Sequence, residues 1–403
     1  MKDEARLQTV IEIADVLFAF EQPADNTINT YFRTHRFIGS RDRRFIADLV
    51  WRVMRHYGRL SALSEEALTG RTAVLGLLHY QDGQSLSLFN GTQYAPAPLS
   101  EKEKEWLKNL PVSLPSAGLE CPDWLKDRIE MSNVEAMSFS ATTDLRVNTL
   151  RTNREYVLSR LEEEGIKAQK TPFSPWGIRL NERVNITAHQ LYLDGLIEIQ
   201  DEGSQLVSLL SQVQPEQTVI DWCAGGGGKT LALSAMMQAK GTLYAADAFP
   251  GRLKDLPQRA CRAGAANVIL LNDYKDLKKY DLILIDAPCT GTGTWRRSPD
   301  ARWRITPKQS ASIIKTQAEI LDNAAPYVKK GGKLFYITCS LDKAENEDQV
   351  ECFLKRHSDF EIEDLNPVFK RLTGKSVSQK TVRLNPAEFN TDGFFAASFL
   401  KTK

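Results

Sequence analysis

Four consecutive aliphatic residues, Leu282 to Ile285, run straight into Asp286-Ala287-Pro288-Cys289. A strand that is apolar on both faces must be covered on both, the condition met in a parallel sheet flanked by helices. Open sheets of that kind collect their ligands at the carboxyl ends of the strands. The carboxylate of Asp286 and the thiol of Cys289 are therefore expected at a ligand-bearing edge. From about residue 201 onward the same alternation recurs. Strands are predicted at 218–222, 242–246, 268–271, 282–285 and 333–337, with helices over 230–237, 252–263, 313–327 and 346–356. Short connections and helical crossovers predict a doubly wound, mostly parallel sheet. The tail 393–399 alternates weakly and reads as a final edge strand.

The first strand of this region opens into Asp221-Trp-Cys-Ala-Gly-Gly-Gly-Gly-Lys-Thr230. Glycines let a ligand approach the backbone, and the helix that follows favours an anionic group. A phosphate-binding P-loop would place its first glycine at position 223, which is Cys223. A dinucleotide fingerprint would need a glycine at 230, which is Thr230. S-adenosylmethionine requires neither spacing. Asp247, at the end of the second strand, is placed for its ribose hydroxyls. Asp273, after the third, is placed for its adenine, although a helix cap there is an ordinary alternative. The glycine loop would hold the methionine end. The acidic rim of Asp221, Asp247, Asp273 and Asp286 suits a cationic sulfonium better than a triphosphate.

The fifth strand ends in Thr338-Cys339-Ser340. Fourth and fifth strands are neighbours in a doubly wound sheet, so Cys289 and Cys339 are expected side by side. A lone cysteine in a cytosolic protein is usually a small buried hydrophobe. The chain has six, none in CxxC spacing, so neither a zinc site nor a disulfide framework is expected. A thiolate beside a methyl donor does suit one reaction, methylation of pyrimidine carbon 5. Addition of sulfur to C6 makes C5 nucleophilic enough to take the methyl group. Asp286 would hydrogen-bond the N3/N4 edge of cytosine and stabilise the adduct.

Ahead of the sheet, residues 1–130 carry helical periodicity, and 131–200 read as a small α+β domain. The formal net charge of +1 means that any nucleic-acid surface must be local. The densest arginine cluster lies between residues 33 and 59 and includes Arg41, Arg43 and Arg44. A second set, Arg296, Arg297 and Arg302, alternates with Trp295 and Trp303 just after Cys289. Guanidinium groups pair with phosphates, and indole rings stack on bases. Both sets are expected to meet RNA, with an ordinary solvated charged face as the equal alternative for the first; Arg146 in the small domain is also expected to meet RNA, with a structural ion pair as its equal alternative. The amino terminus lacks the layout of a signal peptide, and no stretch reaches the ~18 apolar residues of a membrane span. A cytoplasmic monomer is expected.

Taken together, Asp221-x-Cys-Ala-Gly-Gly-Gly-Gly-Lys-Thr230, Asp286-Ala-Pro-Cys-Thr-Gly-Thr-Gly293 and Thr338-Cys-Ser340 resemble the RsmB/Nop/Sun family of RNA (cytosine-C5) methyltransferases. Gln200-Asp-Glu-Gly-Ser-Gln205, Arg146-Val-Asn148 and Asp392-Gly-Phe-Phe395 extend the likeness. The leading region, with Phe32-Arg-Thr-His-Arg36 and Gly39-Ser-Arg-Asp-Arg-Arg44, looks like the NusB-like RNA-binding domain of the bacterial ribosomal RNA members.

The resemblance implies three domains: a helical NusB-like domain (1–130), an RNA-recognition-like domain (131–200) and a Rossmann-like class I methyltransferase domain with a seven-stranded sheet (201–403). It also implies that Cys339 is the nucleophile and that Cys289 assists product release. Cys223, Ala224, Gly225, Gly226, Gly227, Gly228, Lys229, Asp247, Asp273 and Asp286 match the family's S-adenosylmethionine positions. Gly226 departs from the family, which usually has proline there. Small-subunit (16S) ribosomal RNA is the implied substrate, with transfer RNA as the alternative. A DNA cytosine methyltransferase, with Cys289 as nucleophile, and a non-catalytic RNA-binding assembly factor are the competing readings.

Overall fold

The computed structural model describes residues 1–81, 83–271 and 278–403 and divides into two compact units. One comprises Met1–Ser140 together with Thr294–Pro307, the other Ala141–Gly293 and Lys308–Lys403.

The first unit is helical. Its longer helices, Asp3–Leu17, Ala24–Thr34, Ser40–Arg55 and Gly70–Gln81, each bury an apolar stripe. In Ser40–Arg55 the stripe is Ile46, Leu49, Val50, Val53 and Met54, at spacings of three and four, while Arg41 and Arg44 stay exposed. The helix Glu101–Asn109 starts at a capping box, Ser100 and Glu103 each accepting from the other's backbone N–H.

The Trp/Arg segment after Cys289, expected as an RNA-gripping loop, belongs to this helical unit. Trp295 is fully buried, with the Arg302 guanidinium 5.0 Å from its ring centroid. Arg302, itself fully buried, donates to the Glu120 carbonyl at 2.8 Å and stands 3.9 Å from the Glu120 carboxylate. Glu120 accepts from the backbone N–H groups of Gly58 and Arg59, and Asp300 accepts from that of Ala24.

The second unit holds two sheets. Strands β1 (Thr143–Val147), β2 (Ala168–Lys170), β3 (Gly177–Leu180) and β4 (Ile197–Ile199) form an antiparallel sheet in the order β2-β3-β1-β4. The helix Arg154–Glu163 packs Val157 and Leu161 into the same core as Leu145, Val147 and Ile178.

The larger sheet contains β5 (Thr218–Asp221), β6 (Thr242–Ala245), β7 (Val268–Leu270), β8 (Tyr280–Asp286), β9 (Val328–Thr338), β10 (Phe360–Glu363), β11 (Val382–Leu384) and β12 (Phe394–Lys401). Its order is β10-β12-β9-β8-β5-β6-β7, with β11 paired to β12. The pairs from β9 through β8, β5 and β6 to β7 are all parallel. Central β8 is covered on both faces: Leu282 and Leu284 enter one core, Tyr280, Ile283 and Ile285 the other.

The tail is not an edge strand. β12 lies between β9 and β10, antiparallel to both. Phe394 and Ala396 face one core, while Phe395, Ala397 and Phe399 face the other. The weak alternation reflects apolar side chains on both faces, not a solvated side. Strands β10 and β11 are an addition to the predicted pattern. Among the described residues, no helix is long and apolar enough to cross a membrane.

Candidate active site

Asp286 closes β8 and pairs in register with Ile337 on β9, so the turns that follow both strands leave from the same sheet edge. The first turn carries Cys289 and the second Cys339. Their sulfurs lie 3.2 Å apart, both thiols are free, and both are half-buried. Two sulfurs this close share a proton. A hydrogen bond to Cys339 pushes the Cys289 thiol well above its ordinary range, with burial, the charge on Cys339 and the nearby Glu345 adding to the rise. Cys289 is thus held as the protonated thiol.

Lys229, in the first turn of the helix Gly228–Met236, donates to Asp286 Oδ2 at 2.7 Å. Burial pulls its ammonium down. The charge and hydrogen bond of Asp286, joined by Cys339 and Asp221, outweigh that and leave it raised. A fixed cation therefore stands in the field of both the carboxylate and the Cys339 sulfur.

The glycine loop connects β5 to that helix. Gly225 (φ +52°) and Gly227 (φ +84°) are left-handed, and a Cβ on Gly227 would stand 2.2 Å from Leu256 Cδ1. Asp247, just past β6, accepts from Gly225 N and Phe249 N, both at 2.9 Å, and faces Arg252 at 3.2 Å. Asp221 is fully buried and accepts from Thr230 Oγ1 at 2.7 Å, while its other oxygen has no hydrogen-bond partner among the described residues. Burial pushes its carboxyl up to about 7. Burial likewise raises the Cys223 thiol, which is therefore protonated.

The family description "16S rRNA methyltransferase RsmB/F" matches residues 208–400, and a ferredoxin-like domain of the same proteins matches 121–187. The "probable ribosomal RNA small subunit methyltransferase B" of Synechocystis sp. is 32% identical over 408 residues, covering 89% of this chain and 91% of that protein. A protein of the same description from Bacillus subtilis is 35% identical over 269 residues, covering 64% of this chain and 59% of its own length. The solved structure of a methyltransferase homolog protein from Pyrococcus horikoshii has a TM-score of 0.58 at 30% identity, covering 71% of this chain and 93% of that one. The chain belongs to the RsmB/Nop/Sun family. It is of the bacterial type, and S-adenosylmethionine is its methyl donor.

For an RsmB-type chain, the donor set fits that group. A left-handed glycine turn, the Asp247 carboxylate at the next strand end and the half-satisfied Asp221 oxygen offer hydroxyl acceptors and negative charge to a cationic ligand. Cys223, Ala224, Gly225, Gly226, Gly227, Gly228 and Lys229 all lie on the loop and the first turn of its helix. Asp273 lies outside the described residues.

The arginines expected to meet RNA divide. Arg41, Arg44 and Arg297 are exposed. Arg43 is half-buried and donates to the carbonyls of Phe32 and Ile38. Arg146, Arg296 and Arg302 are corrections: they are 1%, 4% and 0% exposed, so no guanidinium face remains for a phosphate. Arg146 lies opposite Glu198 in the β1–β4 register, and burial pulls it down to about 10.

Sequence reasoning missed Glu345, a fully buried carboxylate beside both thiol turns. Its one signal is proximity: it follows Thr338-Cys339-Ser340 by five residues.

Proposed function

We propose that this enzyme methylates carbon 5 of a cytosine in 16S ribosomal RNA through a covalent adduct at C6. The supporting observation is the 3.2 Å pair of free sulfurs at the edge that also bears Asp286 and Lys229. In this reading Cys339 Sγ adds to C6, and the C5–C6 electron pair moves toward C5. S-adenosylmethionine supplies the methyl group. Asp286 hydrogen-bonds the N3/N4 edge of the base, and Lys229, donating to its Oδ2, keeps that carboxylate oriented. Water takes the C5 proton, the C5–H electron pair re-forms the C5–C6 double bond, the C6–S bond breaks, and Cys339 leaves as thiolate. Cys289, which holds a proton beside that sulfur, assists release.

Cys223 to Lys229, Asp247 and Asp273 are the proposed cofactor positions. Arg41, Arg43, Arg44 and Arg297 are the proposed RNA contacts. The choice of 16S RNA follows the small-subunit relatives. Incubation of purified enzyme with S-adenosylmethionine and unmodified 16S RNA, followed by nucleoside mass spectrometry, tests the reading. 5-Methylcytidine is the expected product. A methyl group on any other base or atom, or methylation of transfer RNA alone, would overturn it.

A further inference from the structure

Glu345 has no part in the scheme above, yet it is fully buried. An interior carboxylate is retained only where charge-assisted hydrogen bonds compensate its desolvation. Here all four compensating bonds come from the neighbourhood of the thiols. Oε2 accepts from Thr290 N and from Gln317 Nε2, both at 2.9 Å. Oε1 accepts from Ser340 Oγ at 2.5 Å and from Thr290 Oγ1. Thr290 follows Cys289, and Ser340 follows Cys339. The same Gln317 amide donates to the carbonyl of Pro288, the residue before Cys289, at 2.9 Å.

Glu345 is itself anchored. Tyr336 OH donates to its carbonyl at 2.7 Å. Its neighbour Asn346 accepts from Thr338 Oγ1 at 2.6 Å and donates to the Ser340 carbonyl at 2.9 Å. One side chain thus joins the two turns whose cysteines must act in sequence.

We propose that Glu345 is the positioning residue that holds the Cys289 and Cys339 turns at a single sulfur–sulfur separation. The role rests on the covalent reading given above. The bond pattern also says which substitution spares it. The two donors at Oε2 are fixed N–H groups, whereas both donors at Oε1 are hydroxyls that can turn and accept. A glutamine can therefore present its oxygen to Thr290 N and Gln317 and its amide to the two hydroxyls. Alanine can do neither.

The test reads thiol geometry separately from catalysis. Phenylarsine oxide bridges two adjacent thiols: each S–H is exchanged for an S–As bond, one water leaves, and arsenic stays trivalent. Cys289→Ser gives the background from the other cysteines. Wild type is expected to bridge. Glu345→Ala is expected to fall to the Cys289→Ser background and to lose methyl transfer about a hundredfold, the cost of misplacing a reacting group by about an ångström. Its calorimetric affinity for S-adenosylmethionine should stay near wild type. Glu345→Gln is expected to bridge and to keep activity within about tenfold, since its hydrogen bonds are retained.

Should Glu345→Ala not fold, the double variant Thr290→Val, Ser340→Ala removes the same hydroxyl ties and is expected to lose bridging. Wild-type bridging and activity in the alanine variant (or in the double variant where it substitutes) would overturn the proposal. So would a glutamine variant as impaired as alanine. If wild type made no 5-methylcytidine, the covalent reading would fall, while the arsenical result would still decide the role of Glu345.

Discussion

Single residues carry the chemistry, and burial separates their roles. Asp221 and Asp286 are neighbouring carboxylates with different surroundings. Asp286 is partly exposed and paired to Lys229, whereas Asp221 is sealed and held up to about 7, mainly by burial, with the Asp286 charge raising it and Thr230 and Lys229 opposing. The folded carboxyl is raised above its unfolded value, so the stability it contributes is present at low pH and is lost as pH rises toward about 7. A cationic ligand reverses the preference, because it binds the ionised form. Affinity for S-adenosylmethionine is therefore expected to strengthen as pH rises through about 7, by up to about tenfold per pH unit below that point. Asp221→Asn should abolish the slope, and calorimetry across that range checks it. A flat wild-type profile would contradict the assignment.

Two glycines in the loop behave oppositely. Gly227 is left-handed, with Leu256 in the way of any Cβ. Gly226 is not left-handed, and the nearest atom to a Cβ there is Arg259 Nη1 at 3.4 Å. Gly227→Ala is expected to destabilise by about 1–3 kcal/mol. Gly226→Ala should stabilise by about 0.4–1 kcal/mol by restricting the unfolded chain. Denaturant melts of the two variants compare them directly.

At the level of elements, the strands that build the site were readable because burial on both faces leaves an uninterrupted apolar run. β5, β6, β8 and the second half of β9 end within a residue of the positions their side chains predict. From strand order alone it followed that Cys289 and Cys339 should be neighbours. β10 and β11 were not legible, being short and mixed in composition, and β12 was misjudged because its apolar residues fill both faces and leave little polar alternation to read. Glu345 was hidden for a related reason: a buried carboxylate looks the same in sequence as a solvated one.

The arginines illustrate the same limit. Their density in Ser40–Arg55 predicts a basic face, and Arg41 and Arg44 do project from it. If they meet phosphates, replacing both with alanine should weaken RNA binding and lower the slope of log K against log salt by about 1.4–1.8. Titration at several salt concentrations measures that slope, and an unchanged value would return these residues to an ordinary solvated face.

Across the whole molecule, each of the two compact units is assembled from two separate stretches of chain. Thr294–Pro307 follows directly on the Cys289 turn, yet its Trp295 and Arg302 complete the interior of the helical unit. Aromatic and guanidinium groups suited to gripping RNA are equally suited to closing a core around a buried carboxylate, and only Arg297 of the three arginines singled out there stays exposed. Replacing Arg302 would leave buried Glu120 with the Arg59 guanidinium at 3.8 Å alone, and the variant is expected to unfold at lower denaturant, with a loss below the about 3–5 kcal/mol of a buried pair broken outright.

The strand order and the paired sulfurs support the covalent route through Cys339 proposed above. Incubating Cys289→Ala and Cys339→Ala separately with 16S RNA and S-adenosylmethionine, then running denaturing gels and mapping any cross-linked peptide, measures this directly. Cys289→Ala is expected to accumulate a protein–RNA adduct attached at Cys339, and Cys339→Ala to form neither adduct nor product. Full methylation by Cys339→Ala, or an adduct mapped to Cys289 in the wild type, would contradict it.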